Sequence, residues 1–277
     1  MLTKPSPSDW VKAARFYDTE VEETEYVPLA RFIREERRAL REIVGSLGPD
    51  LLVLEFGSGT GRVLLDLISH PRVGQKIGLA IGIDISPSMI AAAREKRDIY
   101  RGRNFQKIVF LHLNALAASA VFGGRKIDLA SVSRANGNGP ELVRAEGRIV
   151  PRCKRVVISA LNTIGVFDPR RKSAYLREMI RSAGIGGTIV VSSFDRTAFA
   201  RYAGELYRSV PAIIEYTGTI SPFMRNETAE LSKPGYYSRW YDHFDLISTL
   251  KELGCSEISS RKLAPLGNII LARSKST

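Results

Sequence analysis

Apolar and polar positions along the chain follow two periods in turn. Between Tyr26 and Leu47, the residues Leu29, Ile33, Leu40, Ile43, Val44 and Leu47 fall on one helical stripe. Arg34, Glu35, Glu36, Arg37, Arg38, Arg41 and Glu42 take the other side, which predicts a surface helix with a solvated, mixed-sign face. Gly45, Gly48 and Pro49 end it, and Leu51 to Phe56 follows as an almost unbroken apolar run, the pattern of a strand covered on both faces. The alternation continues with a helix from Gly61 to about Ser69, a strand Ala80 to Ile85, a helix from Pro87 to about Tyr100 and a strand Ile108 to Leu113. Later come a strand Arg155 to Leu161, a helix Ser173 to Ala183 and a strand Thr188 to Phe194. The chain ends with a helix Leu246 to Leu253 and strands Glu257 to Leu263 and Asn268 to Arg273. Only Ala264 to Gly267 joins that last pair, a link that permits antiparallel pairing and forbids a crossover helix.

Alternating strands and helices predict right-handed βαβ units: an α/β fold with a mostly parallel twisted sheet and helices on both faces. Two segments, Gly123 to Cys153 and Thr197 to Tyr241, stand outside the alternation, and insertions of this kind carry specificity on a standard scaffold. With 277 residues and no linker-like stretch, the chain reads as one domain. An apolar content of 44% with 25% charged residues excludes disordered and low-complexity classes. Apolar runs such as Ile77 to Ile85 are too short to cross a bilayer, and the first residues carry no apolar signal core, so a cytoplasmic protein without a membrane is expected. Two cysteines, Cys153 and Cys255, and three histidines, His70, His112 and His243, show no ligand spacing, so no metal is expected. The net charge of +12 favours contact with an anion and keeps nucleic acid in view as a partner.

Chemistry concentrates in Glu55-Phe56-Gly57-Ser58-Gly59-Thr60-Gly61-Arg62, a glycine turn between a strand and a helix. Glycine at alternate positions brings a ligand close to main-chain N–H groups near a helix N-terminus. The lysine of a phosphate-binding P-loop is missing, and the spacing G-x-G-x-G departs from that of dinucleotide binders. Asp84 closes the next strand and is placed to accept hydrogen bonds from two ribose hydroxyls; the alternative is a helix cap supplied by Asp84 or Ser86.

These residues resemble the class I, Rossmann-like S-adenosylmethionine-dependent methyltransferases. Leu52 to Arg62 is similar to their first motif, Ile83-Asp84-Ile85-Ser86-Pro87-Ser88-Met89 to their D-x-S-x-x-M second motif, Ser159 to Gly165 to the segment after the fourth strand, and Gly186 to Val190 to the loop opening the fifth. The resemblance implies a seven-stranded sheet whose last strand is antiparallel and S-adenosylmethionine as cofactor. It implies cofactor contacts from Glu55, Gly57, Ser58, Gly59, Gly61, Asp84, Ile85, Met89, Asn114, Ala115 and Asn162, with the glycines on the methionine part, Asp84 on the ribose and Asn162 near the sulfonium. Where many members carry an acidic residue for the adenine amino group this chain has Asn114, whose amide oxygen accepts the same bond; Asp128 is a second candidate. The chain then divides into an N-terminal helical lid (1–48), a cofactor-binding core (49–195), an acceptor-pocket insertion (196–242) and a C-terminal helix with its strand pair (243–277).

A sulfonium methyl is already activated, so in-line attack needs alignment and exclusion of water more than a protein nucleophile. A base, where the acceptor needs one, is sought in His243, within the aromatic stretch Tyr236 to Phe244, read as a strand walling the pocket. Tyr17 and Tyr26 resemble lid aromatics that close over cofactor and substrate. His243, Tyr17 and Tyr26 are thus the catalytic candidates, with Tyr237 and Tyr241 in the expected lining. Asn162-Thr163-Ile164-Gly165 lacks the Pro-Pro-aromatic pattern of base-amino methylation, which favours a small-molecule acceptor with an N, O or C nucleophile. An RNA or DNA methyltransferase and a non-catalytic cofactor-binding protein are the alternatives, and the oligomeric state is not legible.

Overall fold

The computed structural model describes residues 14, 16–100, 104–123, 154–212, 214, 218–234 and 236–275. Strands β1 (Leu51–Phe56), β2 (Ile77–Asp84), β3 (Ile108–His112), β4 (Arg155–Ser159) and β5 (Thr188–Phe194) run parallel. β10 (Gly267–Ser274) lies antiparallel on β5, and β9 (Cys255–Leu263) antiparallel on β10, giving one sheet in the order β3-β2-β1-β4-β5-β10-β9. The order reverses between β1 and β4, so a crevice opens above their carboxyl ends. β4 pairs with β1 from Arg155 onward, which settles the fourth strand; the rival segment containing Asp128 lies outside the described residues.

Because successive strand residues face opposite sides, the apolar strands divide into two cores. Val53, Ile158 and Val190 pack toward the helices α1 (Val27–Ser46) and α2 (Arg62–Ser69), through Phe32, Leu40, Leu64 and Ile68. Leu54, Val157 and Ile189 face the other way, toward Leu176 and Met179 of α4 (Lys172–Ala183) and Leu246 and Leu250 of α6 (His243–Glu252). Between these helices in the chain lie α3 (Pro87–Ile99), which Ser86 caps by accepting from Met89 N, and α5 (Phe199–Arg208).

Two sequence expectations need correction. Glu36, expected on the solvated face of α1, is fully buried. The aromatic stretch is not one strand: β8 (Tyr236–Arg239) stops short of Trp240, and the Asp242 carboxylate accepts from Phe244 N at 2.8 Å, capping a helix that begins at His243. A side-chain acceptor there offers the backbone a helical start that an aromatic count does not register.

β8 belongs to a second, three-stranded antiparallel sheet with β6 (Met224–Arg225) and β7 (Glu230–Lys233), all inside the segment that follows β5. That segment leaves and returns at one point: Tyr241 N donates to Phe194 O at 3.1 Å and Arg196 N to Tyr241 O at 3.2 Å. No helix among the described residues is long and apolar enough to cross a membrane.

Candidate active site

The glycine turn is held from below by the second strand, with Gly57 N and Ser58 N both donating to Ile83 O, at 2.8 and 2.9 Å. Gly57 (φ +71°) and Gly59 (φ +52°) occupy the left-handed region that favours glycine. A Cβ on Gly57 would collide with Thr163, whereas one on Gly59 would stand in open space 4.0 Å from the Tyr17 ring. The turn thus presents bare backbone at Gly59. Asp84 joins the same surface: its carboxylate accepts from Gly59 N at 2.9 Å and from Ser86 N at 2.8 Å, and burial raises its pKa against the pull of these bonds.

Above these residues lies a cavity whose free space, open solvent at its mouth included, is about 1110 Å³. Of the candidates named from the sequence, Gly57, Gly59, Asp84, Ile85, Met89, Asn114, Ala115, Asn162 and Tyr17 line it. Glu55, Ser58 and Gly61 do not: Glu55 and Ser58 are buried under the turn, and Gly61 packs so closely on Phe110 that a Cβ would come within 2.6 Å of its ring. Asn114 Oδ1 also accepts from Leu116 N at 2.9 Å, which fixes its amide at the cavity wall.

Two of the three catalytic candidates lie outside the lining. The Tyr26 hydroxyl donates to Tyr202 O at 3.3 Å, against the body of the protein. His243 sits at the start of α6 with its ring 3.9 Å from that of Phe244 and Nδ1 4.0 Å from the Asp195 carboxylate. Tyr237 and Tyr241 are absent from the lining too: on β8 it is Tyr236 and Ser238 that face the cavity, so Tyr237 points to the other side, and Tyr241 lies beyond β8, bridged to Asp195. The wall also includes Phe194 and, from α5 and the turn after it, Leu206, Tyr207 and Val210, which sequence reading missed. The i,i+1,i+4 spacing of that last trio was the available signal.

A buried ionic network carries the two loops that flank the cavity. The Glu36 carboxylate pairs with Arg62, the residue after the third glycine, at 2.5 Å; it also accepts from Leu161 N at 2.8 Å and from the Ser192 hydroxyl. Leu161 and Asn162 both have left-handed backbones (φ +47° and +58°), a strain of about 1–3 kcal/mol each that surrounding contacts must hold. The Asn162 amide supplies such contacts: Oδ1 accepts from Phe194 N at 3.1 Å, and Nδ2 donates to Ser238 Oγ and Arg239 O, both at 3.3 Å. Asn162 therefore ties β5 and β8 to the turn after β4.

The segment before α1 closes the cavity from the side. Lys96 Nζ donates to Asp18 at 2.7 Å, Thr60 at 3.0 Å and Glu22 at 3.3 Å, while Thr60 donates to Asp18 at 2.7 Å. On its other flank, Glu20 accepts from Ala212 N at 3.0 Å. Pinned at both sides, the helical turn Asp18–Glu22 sets Tyr17 and Val21 into the wall.

A mostly parallel sheet with a glycine turn, an acidic residue closing its second strand and a crevice at its point of reversal is the architecture on which α/β proteins seat nucleoside cofactors. A profile described as a methyltransferase domain matches residues 47–219, and the chain belongs to that family. It is a class I S-adenosylmethionine-dependent methyltransferase. Solved structures agree in fold. The magnesium protoporphyrin IX methyltransferase from Synechocystis PCC 6803, solved with bound SAM, is 16% identical with a TM-score of 0.53, over 97% of this chain and 94% of that one. The CurJ carbon methyltransferase is 14% identical with a TM-score of 0.58, over 98% of this chain but 61% of its own length. An O-methyltransferase family protein from Burkholderia thailandensis is 13% identical with a TM-score of 0.52, over 86% of this chain and 56% of that one. No curated protein sequence matches.

Proposed function

We propose that this methyltransferase acts on a small-molecule acceptor held in the same cavity as the cofactor. The observation that carries the reading is the composition of that cavity. One end is the glycine turn with Asp84, Ile85 and Asn114, and the other is an apolar and aromatic wall from the segment after β5.

The first end suits S-adenosylmethionine. Gly59 offers bare backbone, Asp84 is an anionic acceptor beside it, and Met89 and Ala115 add apolar lining to the Asn114 amide. Glu55, Ser58 and Gly61 support the turn from beneath. When bound, the cofactor supplies an activated methyl group on a sulfonium. The chain's own part is to hold the acceptor in line and dry: Leu161 and Asn162, locked by Glu36, Phe194 and Ser238, stand between the two ends, and Tyr17 with Val21 shuts the side open to solvent. Burial pushes the Tyr17 phenol far above its usual range, so it acts as a neutral wall and not as a base.

In this reading residues 1–48 act as the lid, 49–195 as the cofactor core, and 196–242 as the acceptor segment, with an N, O or C nucleophile attacking in line. The test is methyl transfer from labelled S-adenosylmethionine to a small-molecule extract and, separately, to bulk RNA and DNA at physiological salt. Label in the small-molecule fraction supports the reading; label in nucleic acid overturns it.

A further inference from the structure

β2 and β3 end side by side, Asp84 opposite His112, and Leu113 N donates to Asp84 O at 2.9 Å. Arg94 of α3 donates to Phe110 O at 2.8 Å from Nη2 and at 3.2 Å from Nε. The end of β3 is thereby fixed both to the strand before the Asp84–Ser86 turn and to the helix after it. From this support the His112 imidazole reaches back to the turn, with Nε2 2.9 Å from Ile85 O. A carbonyl only accepts, so Nε2 carries the hydrogen whether the ring is neutral or charged. His112 is itself exposed and is not part of the cavity lining, whereas Asp84 and Ile85 are.

The clamped turn is short and carries two groups of the cavity wall. Ile85 alone separates the end of β2 from Ser86, the cap of α3, and its side chain stays 42% exposed at the cavity. An apolar side chain so exposed has little packing of its own to fix its backbone. Asp84 accepts from Ser86 N at 2.8 Å and Ser86 in turn accepts from Met89 N, so a shift of Ile85 disturbs the carboxylate beside it. His112 also acts on that carboxylate through space. Burial raises the Asp84 pKa, the bonds from Ser86 N and Gly59 N lower it, and the imidazole adds to the lowering. A wall held in its binding conformation before the ligand arrives leaves less ordering to be done on binding, so such a clamp registers in affinity.

We propose that His112 is a positioning residue for the cofactor: by donating from Nε2 to Ile85 O it locks the turn between β2 and α3, so that Asp84 and Ile85 meet the nucleoside half of S-adenosylmethionine in one conformation. The proposal rests on the reading of the cofactor end given above and adds to it a residue outside the lining.

The test compares the full chain with His112→Ala, which removes the donor, and His112→Gln, whose side-chain amide keeps an N–H. S-adenosylhomocysteine and adenosine are each titrated calorimetrically, and hydrogen exchange of the ligand-free proteins is followed by mass spectrometry. His112→Ala should bind S-adenosylhomocysteine about three- to tenfold more weakly, the span of one net hydrogen bond. Adenosine should lose the same factor, because the turn serves the nucleoside half. Exchange should quicken over residues 83–89 and not across β1 and β5, and His112→Gln should restore both affinity and protection. Unchanged affinity in His112→Ala, a loss that adenosine does not share, His112→Gln as weak as His112→Ala, or exchange that quickens across the whole sheet overturns the proposal alone. A parent chain that binds neither ligand overturns the cofactor reading and the proposal with it.

Discussion

Replacing Glu36 by alanine tests whether the buried network carries the architecture of the site. The carboxylate is 0% exposed and its partner Arg62 is 7% exposed, so the variant strands a guanidinium in the interior. Breaking a buried pair from one side costs about 3–5 kcal/mol, a large share of the roughly 5–15 kcal/mol that holds a typical domain together. For a chain of this size each kcal/mol lowers Tm by about 2–4 °C, so Glu36→Ala should melt about 6–20 °C below the parent. Urea unfolding followed by circular dichroism gives the free energy directly. The variant should also bind S-adenosylhomocysteine more weakly, since Leu161 and the glycine turn lose a common anchor. The double variant Glu36→Leu/Arg62→Met, which removes both charges, should recover most of the loss. A cost under about 1 kcal/mol for Glu36→Ala, or a double variant no more stable than the single, refutes this reasoning.

If Asp84 holds the ribose, Asp84→Asn should weaken S-adenosylhomocysteine at least tenfold by calorimetry, since a charge-assisted hydrogen bond contributes about 1.5–3 kcal/mol; unchanged affinity removes Asp84 from the site. Lys96→Met releases Asp18, Glu22 and Thr60, so chymotrypsin should cut near Tyr17 faster than in the parent, with S-adenosylhomocysteine slowing the cut; equal rates mean that the latch is idle. Burial lifts the pKa of Glu55 well above the usual carboxyl value, so the folded state holds a proton there that the unfolded chain releases near pH 4.5. Stability should therefore fall as pH rises from that point through the folded pKa. Glu55→Gln, which mimics the protonated form, should flatten Tm against pH over this range, and parallel curves for the two proteins count against the assignment.

The sheet was legible because a parallel strand buried on both faces leaves an apolar run that little else produces, and β1 and β5 begin and end where the runs do. That the glycine turn and Asp84 share one wall of the cavity was legible for a related reason: both are placed by local backbone geometry, which depends on near neighbours in sequence. The opposite wall of the cavity depends on contacts between distant segments. Tyr207 meets Trp240 across 33 residues, and Leu161 meets Glu36 across 125, so no local pattern marks them. Glu36 looked like one more charge on a polar stripe, since nothing in its own helix shows that Arg62 faces it. His243 lies outside the lining for another reason: a cap at Asp242 turned a strand-like run into a helix start.

The segment between β5 and α6 departs and rejoins the sheet at one rung, where Phe194, Arg196 and Tyr241 share two backbone hydrogen bonds. A stretch with coincident ends behaves as a cassette. Its exchange alters no strand order and costs little loop-closure entropy, because that cost grows only slowly with the length inserted. A segment taken from another enzyme of this fold, joined at Asp195 and Tyr241, should leave the sheet and the glycine turn intact while replacing the wall that Leu206, Tyr207, Val210 and Tyr236 supply. Such a chimera would inherit its acceptor preference from the donor, and lineages built on this scaffold could diversify by trading that one piece.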